Sequence, residues 1–239
     1  MIEGDLADIW VYLSASPLTG LTLTLVSYLA AYFMYQKSGY NSLLNPVLIA
    51  VVMIIAVLWI TGTKYLDYFE GAQFVHFLLG PATVALAVPL YTNLPKLRTT
   101  WLPATVAIIS GAIIASLSAM GIAWALGAEP ESVLSLAPKS VTAPVAMGIS
   151  EKIGGLPSLT AVLVVLTGVL GAVIGTKVFR MLKITDDTAT GIAMGVTSHG
   201  IGTARAFQIN EQMGAFSGLA MALSAFGTAL LLPWLVSLI

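Results

Sequence analysis

The sequence predicts an all-α polytopic membrane protein, and three observations predict it. Of 239 residues, 58% are hydrophobic and 9% charged, with mean hydropathy +0.94, whereas a soluble domain carries about 25% charged residues. Stretches 38–63, 71–95, 99–128, 153–176, 188–204 and 212–239 hold no charge at all. Each is near or above the roughly 20 apolar residues that cross a hydrocarbon core. Backbone in lipid must satisfy its own hydrogen bonds, and an α-helix does so within one segment.

The elements follow in order. Span one is expected over Leu18–Tyr35, span two over Leu43–Ile60, span three over Ala72–Leu94 and span four over Trp101–Leu126. A Pro-interrupted element follows over Ser132–Ser150, because Pro138 and Pro144 remove backbone donors and obstruct a continuous helix. Spans five to seven are expected over Leu156–Val178, Thr188–Ala206 and Met213–Leu238. Trp10, Tyr12, Trp101 and Trp234 near span ends read as interfacial anchors. No extramembrane stretch is long enough for a second domain, so residues 1–239 read as one transmembrane domain.

Loop charges orient the chain. If the 132–150 element dips in and returns to the same face, Lys37, Lys96, Arg98, Lys177, Arg180 and Lys183 share one side, against Lys64 and Lys152. If it crosses, the cations divide evenly, so the positive-inside rule favours a re-entrant element. The expectation is seven spans plus that element, with the amino terminus outside and the carboxyl terminus in the cytoplasm. The acidic start, Glu3, Asp5 and Asp8, lacks the basic opening of a cleavable signal peptide. Spans two to four and five to seven then form inverted three-span repeats, 43–127 and 156–238. A shift of 120 residues carries Gly71, Gly80 and Thr83 onto Gly191, Gly200 and Thr203. Helix breaks are expected at Gly80, Pro81, Pro138, Pro144, Gly200 and Gly202; paired broken helices point to a transport site near the midplane.

Several function classes are excluded. Net charge of −1 and the lack of a basic patch argue against a nucleic-acid partner. Zero cysteines exclude disulfides and thiolate metal sites. No phosphate-binding or dinucleotide fingerprint and no metal-ligand spacing is present, so neither a cofactor nor a metal is expected. An intramembrane enzyme lacks a nucleophile–base pair, since adjacent Ser198 and His199 do not by themselves aim hydroxyl at imidazole. No carboxylate lies within a span interior, so the usual ligands of cation pathways are missing.

What remains is positive charge among hydroxyls. Thr197-Ser198-His199-Gly200-Ile201-Gly202-Thr203-Ala204-Arg205 places an imidazole and a guanidinium in a glycine-broken span. Arg205 can snorkel to the headgroups, pair with backbone carbonyls or bind an anion. A guanidinium fork suits a carboxylate, and the anion reading is preferred. Lys139, with Ser140 and Thr142, lies between the two prolines; the alternative is a surface loop with an exposed lysine. His199 can donate to substrate, relay a proton or be a satisfied core histidine, which is the preferred reading for His76. The candidate binding set is Lys139, Ser140, Thr142, Ser198, His199, Thr203, Arg205 and Thr83.

These segments make the chain recognisable. Leu43-Leu-Asn-Pro-Val-Leu, Pro89-Leu-Tyr91, Pro138-Lys-Ser-Val-Thr-Ala-Pro-Val-Ala146, Gly154-Gly155, Gly191 to Arg205 and Gly214-Ala-Phe-Ser217 resemble the LrgB/CidB family of bacterial membrane proteins. The membrane domain of the plastidial glycolate/glycerate translocator is similar to that family. The resemblance runs from about Leu43 to the carboxyl terminus. It implies a multi-pass protein of the bacterial cytoplasmic membrane, a homo-oligomer, with a small LrgA/CidA-type membrane partner. It implies two functional stories. One is transport of small monocarboxylates such as glycolate, glycerate or pyruvate. The other is holin- or antiholin-like modulation of murein hydrolase release and cell lysis. The residues prefer the first, because a lysis modulator has no need of Lys139 and Arg205 in interrupted, hydroxyl-rich segments.

Overall fold

The computed structural model describes residues 17–237 except 79, 80, 82, 83 and 86. Four helices among them are long and apolar enough to cross a membrane: Leu18–Lys37, Leu94–Ala125, Pro157–Met181 and Glu211–Val236. With the membrane-protein relatives reported below, they make this a multi-pass membrane protein. The chain divides into two units, residues 1–85 and 86–239.

In the first unit, α1 (Pro17–Lys37) is followed by a 3₁₀ turn, α2 (Pro46–Thr61) and α3 (Tyr65–Phe77). Asn45 caps α2, its Oδ1 accepting from the N–H groups of Val47 and Leu48, and Pro46 fits the first helical position. Gly20 lets α1 touch the α3 backbone at Tyr68 and Ala72, and the Thr24 and Tyr68 hydroxyls meet at 2.7 Å. Trp59 and Ile60 are 85% and 78% exposed, as side chains facing lipid would be.

The second unit contains α4 (Ala87–Thr92), α5 (Leu94–Ala125), α6 (Pro130–Leu136), α7 (Ala143–Ile153), α8 (Pro157–Met181), α9 (Asp187–Ile209) and α10 (Glu211–Val236). Helix α9 is not one rod. His199 has φ 41° and ψ −135°, so two half-helices, 187–198 and 200–209, meet there. A straight helix of 23 residues would be about 35 Å long. Yet Gln212 Nε2, just beyond the far end, donates to Thr188 Oγ1 at 3.0 Å. The second half therefore folds back beside the first. Contacts agree: Gly191 and Gly195 press on the backbone of Met213 and Ser217, while Thr203 meets Ser217 and Phe207 covers Gly214. The first half runs parallel to α10 and the second antiparallel. The expectation of a crossing span six is thus corrected. The physical reason is the left-handed backbone at His199, which no α-helix can contain.

The break is also not where glycines suggested it. Gly200 and Gly202 lie inside the returning half-helix. Gly202 serves a different need: a Cβ there would sit 2.8 Å from Met194 O and against Ser198, so it lets the two arms approach. Pro81 lies in helical backbone, and Gly80 and Thr83 lie outside the described residues.

Elements α6 and α7 form a second hairpin, broken at 137–142. Seven and eleven residues give helices of only about 10 and 16 Å, too short to cross. Its arms are tied to α8: Leu156 N donates to Ser135 Oγ at 2.7 Å, and Thr160 Oγ1 lies 3.0 Å from Ser135 O and 2.7 Å from Ser150 Oγ.

Helix directions follow from pairings. Along α8, Val164, Gly171 and Gly175 meet His199, Ser198 and Met194, so α8 opposes the first arm of α9. Lys96 and Asp186 border one cavity whose other end lies at Gly111 and Val196, so α5 runs with that arm. Helices α5 and α10 hence point one way and α8 the other. The α6–α7 hairpin leaves and rejoins one end of the unit, and the α9 hairpin does so at the opposite end. Lys96, Arg98, Lys177, Arg180 and Lys183 all gather at the α9 end. Because α9 turns back, the last turns of α10 pack at the α6–α7 end, with Leu232 and Val236 beside Ile149 and Ile153. The carboxyl terminus therefore does not share the side of the Lys183 loop, contrary to the expectation from seven crossings.

Candidate site at the hairpin tips

The two tips meet in the interior of the second unit. At the first, Ala137, Pro138 and Val141 are fully buried and Ser140 nearly so. The turn is held by Lys139 N–H to Leu136 O and Val141 N–H to Pro138 O, both 3.2 Å. Lys139 is half-buried and its Nζ donates to Ser140 Oγ at 3.3 Å. Helix α7 starts here, with Thr142 as N-cap residue whose side chain does not cap it. Pro144 removes one further donor, and the remaining first-turn amides give this point a partial positive charge.

At the second tip, Ser198 is 0% and His199 5% exposed. The His199 ring reaches α8, where Nε2 lies 2.9 Å from Val164 O. A carbonyl only accepts, so Nε2 carries the hydrogen and Nδ1 keeps its lone pair or takes a second proton. Val164 belongs to the same apolar cluster as Ala137 and Val141 of the first tip, so both tips lie against this stretch of α8. The turn that carries Lys139 and Ser140 and the turn at His199, about sixty positions apart, thus lie against one stretch of α8.

Room for the second tip comes from glycines of α8. A Cβ on Gly168 would stand 2.6 Å from His199 Cε1, and one on Gly171 would overlap the Ser198 hydroxyl. Gly175 does the same for Met194 Sδ at 2.7 Å. Spacings of three and four put all three on one helix face. Gly171-x-x-x-Gly175 was visible in the sequence only as a general close-contact signal. Val164 had no sequence signal, because its contribution is a carbonyl.

Hydroxyls near the second tip are occupied. Thr203 Oγ1 donates to His199 O at 2.9 Å and meets Ser217 Oγ at 2.9 Å. Thr203 thus braces a strained residue from below. Ser198 Oγ meets Thr197 Oγ1 at 3.1 Å. Arg205 lies on the returning arm, six residues beyond the tip, or about 9 Å along the helix. It is half-buried, and its Nη1 donates to Gln208 Oε1 at 3.2 Å. It stands toward the end that carries Lys183, not the opposite end that a crossing span would have given it. Glu211, the first residue of α10, accepts from Thr92 Oγ1 at 3.2 Å.

Two hairpins entering from opposite ends, with a half-helix amino terminus at each tip, form an arrangement suited to an anion. Among the described residues no cluster of His, Cys, Asp or Glu could hold a metal. Comparison with known proteins agrees with the sequence resemblance. The model of the LrgB-like family matches residues 24–238. The chain belongs to the LrgB-like family. Similar proteins include the uncharacterized protein YwbG of Bacillus subtilis, 36% identical over 92% of this chain and 97% of that one. The holin-like protein CidB of Staphylococcus epidermidis is 31% identical, and that of Staphylococcus aureus 32%. Both alignments cover 91% of this LrgB-like chain and 95% of the relative. No solved structure matches.

Proposed function

We propose that this LrgB-like protein carries small monocarboxylates, of the glycolate, glycerate or pyruvate class, by alternating access. One observation carries the reading: the buried tips of two oppositely entering hairpins meet beside Val164. A pore needs no such junction. A carrier does, because irregular backbone at membrane depth persists where it lines a cavity or binds a ligand.

In this reading Lys139 and the first amides of α7 hold the carboxylate. Ser140 and Thr142 hydrogen-bond its oxygens, and Ser198 and the start of the returning arm face it from the other tip. Thr203 positions His199. Arg205, lower on the arm, offers a second cationic stop. His199 Nδ1 is the group a coupled proton would use. Small substrates are preferred because glycines bring the surrounding backbones close. The 120-residue repeat is consistent with the helix ends: the shift carries Thr61 onto Met181, and the start of α9, Asp187, onto Asp67 in the first turn of α3. Positive-inside orientation places the Lys96 and Lys183 end in the bacterial cytoplasm. A homo-oligomer and a small LrgA/CidA-type partner complete the proposal.

The names of the relatives favour a second reading, holin-like modulation of murein hydrolase export and lysis, over the carrier. Reconstitution separates them. Vesicles contain neither wall nor hydrolase, so a lysis modulator gives no saturable flux there. The carrier reading expects saturable uptake of labelled glycolate, glycerate or pyruvate, competed by similar acids, measured with and without the small partner. Leakage of large dyes with no saturable uptake refutes it.

A further inference from the structure

We infer that the cavity between α5 and the first arm of α9 is the aqueous route by which a small carboxylate reaches the hairpin tips from the Lys183 end of the unit. The inference rests on the carrier reading for its occupant. The cavity measures about 510 Å³, within the 300–1,000 Å³ typical of small-ligand sites. Lys96 and Asp186 stand at its mouth, and Thr100, Thr188 and Thr197 bring hydroxyls along its length. Helices α5 and α9 leave this space because both face it with small residues, including Ala107 and Ala193.

Polarity along the cavity matters. Thr100 and Thr197 donate to Lys96 O and Ala193 O of their own helices and Thr188 accepts from Gln212, which leaves hydroxyl oxygens able to accept from water along the cavity. At the mouth the two charges do not simply cancel. Asp186 Oδ1 caps α9 by accepting from Ala189 N–H at 2.8 Å, while Lys96 is exposed and directs its ammonium to solvent-accessible space. At the inner end, Val196 Cγ1 would lie 3.2 Å from a Cβ on Gly111, so the helices pinch together there. Beside the pinch stands Thr197, whose hydroxyl meets that of buried Ser198 at the tip. The route therefore ends one hydroxyl away from the candidate anion site.

The chain has no cysteine, so single cysteines report access directly. Ala107→Cys and Ala193→Cys line the cavity; Val106→Cys, on a side chain 59% exposed, points elsewhere on α5. The full chain is reconstituted and treated with impermeant sulfonate and trimethylammonium thiol reagents from each side. Both cavity cysteines are expected to react from the Lys96 side about tenfold faster than Val106→Cys, because hydrocarbon excludes a charged reagent. Pyruvate is expected to slow them. Adding Lys96→Gln is expected to slow the sulfonate reagent about threefold relative to the cationic one, as loss of electrostatic steering requires. Reaction as slow as Val106→Cys, or from the other side, overturns the route even if uptake persists, which leaves the carrier reading standing. Fast reaction with neither pyruvate protection nor uptake overturns the carboxylate as occupant and the carrier reading together.

Discussion

Gly168→Ala tests the second tip most directly. The new methyl would stand 2.6 Å from His199 Cε1, 2.7 Å from Nε2 and 2.9 Å from Ile201 Cδ1. Non-bonded carbons prefer about 3.5–4.0 Å, so the ring must move by about 1 Å. That movement breaks its 2.9 Å contact with Val164 O, one turn away on the same face of α8. Overpacking costs about 1–3 kcal/mol and an unmade buried hydrogen bond about 1–3 kcal/mol. Alanine's helix preference returns about 0.5–1 kcal/mol, which leaves a net loss of about 3 kcal/mol at the middle of these ranges. At about 2–4 °C per kcal/mol for a chain of this size, Tm should fall by roughly 5–15 °C. Gly148→Ala is the control: it lies in α7 with nothing within 4 Å of its Cβ, and should be neutral or slightly stabilising. Thermal unfolding of purified protein in one detergent reads both. In a His199→Ala background the Gly168→Ala cost should largely vanish, since the clashing ring is gone. A Gly168→Ala protein as stable as Gly148→Ala, or an undiminished cost without the ring, would refute the placement of His199 against α8.

Further tests address topology, charge and one buried hydroxyl. Single cysteines at Glu129 and Glu151 should be labelled from the same side, and cysteines at Asp187 and Ile209 together from the other; impermeant labelling that separates either pair removes that hairpin. Lys139→Ala should raise KM for carboxylate uptake about tenfold or more, through loss of a charge-assisted contact of about 1.5–3 kcal/mol. Arg205→Lys should lose less than Arg205→Ala; unchanged uptake kinetics in both leave Arg205 as a headgroup anchor. Ser224 Oγ is buried without a hydrogen-bond partner among the described residues, beside a cavity of about 20 Å³ shared with Ser116 and Thr228. Ser224→Ala should keep or raise Tm, and a drop of several degrees would show that the hydroxyl is satisfied in solution.

Composition alone carries the all-helical membrane class, because apolar length and lack of charge are one-dimensional quantities. The first hairpin was also legible, because Pro138 and Pro144 are local obstacles to helix and the loop cations supplied the parity of crossings. The second hairpin was not. Residues 188–204 lack charge and are nearly long enough to cross, and the turning residue is a histidine rather than a neighbouring glycine. Its reversal depends on tertiary support from Val164, Gly168 and Ser217, none of which is near it in sequence. The candidate residues divide by the same rule. Lys139, Ser140, Ser198 and His199 stand out by residue type, and the fold brings the two turns that carry them against α8. Thr203 was found too, but it serves as a brace, and the glycines of α8 became meaningful only once a ring lay against them.

The double-back of α9 sets an order of assembly during synthesis. An insertion machinery that sorts segments by hydrophobicity can commit α8 to the bilayer as it emerges. It cannot do the same for 187–209, whose arms of about 18 and 15 Å are each too short to cross and which carries Asp187, His199 and Arg205. Until α10 has left the ribosome, Gly191 and Gly195 have no helix to pack on and the His199 backbone has no Ser217-supported brace. The packing of this hairpin is therefore completed only when the last helix of the chain closes over it.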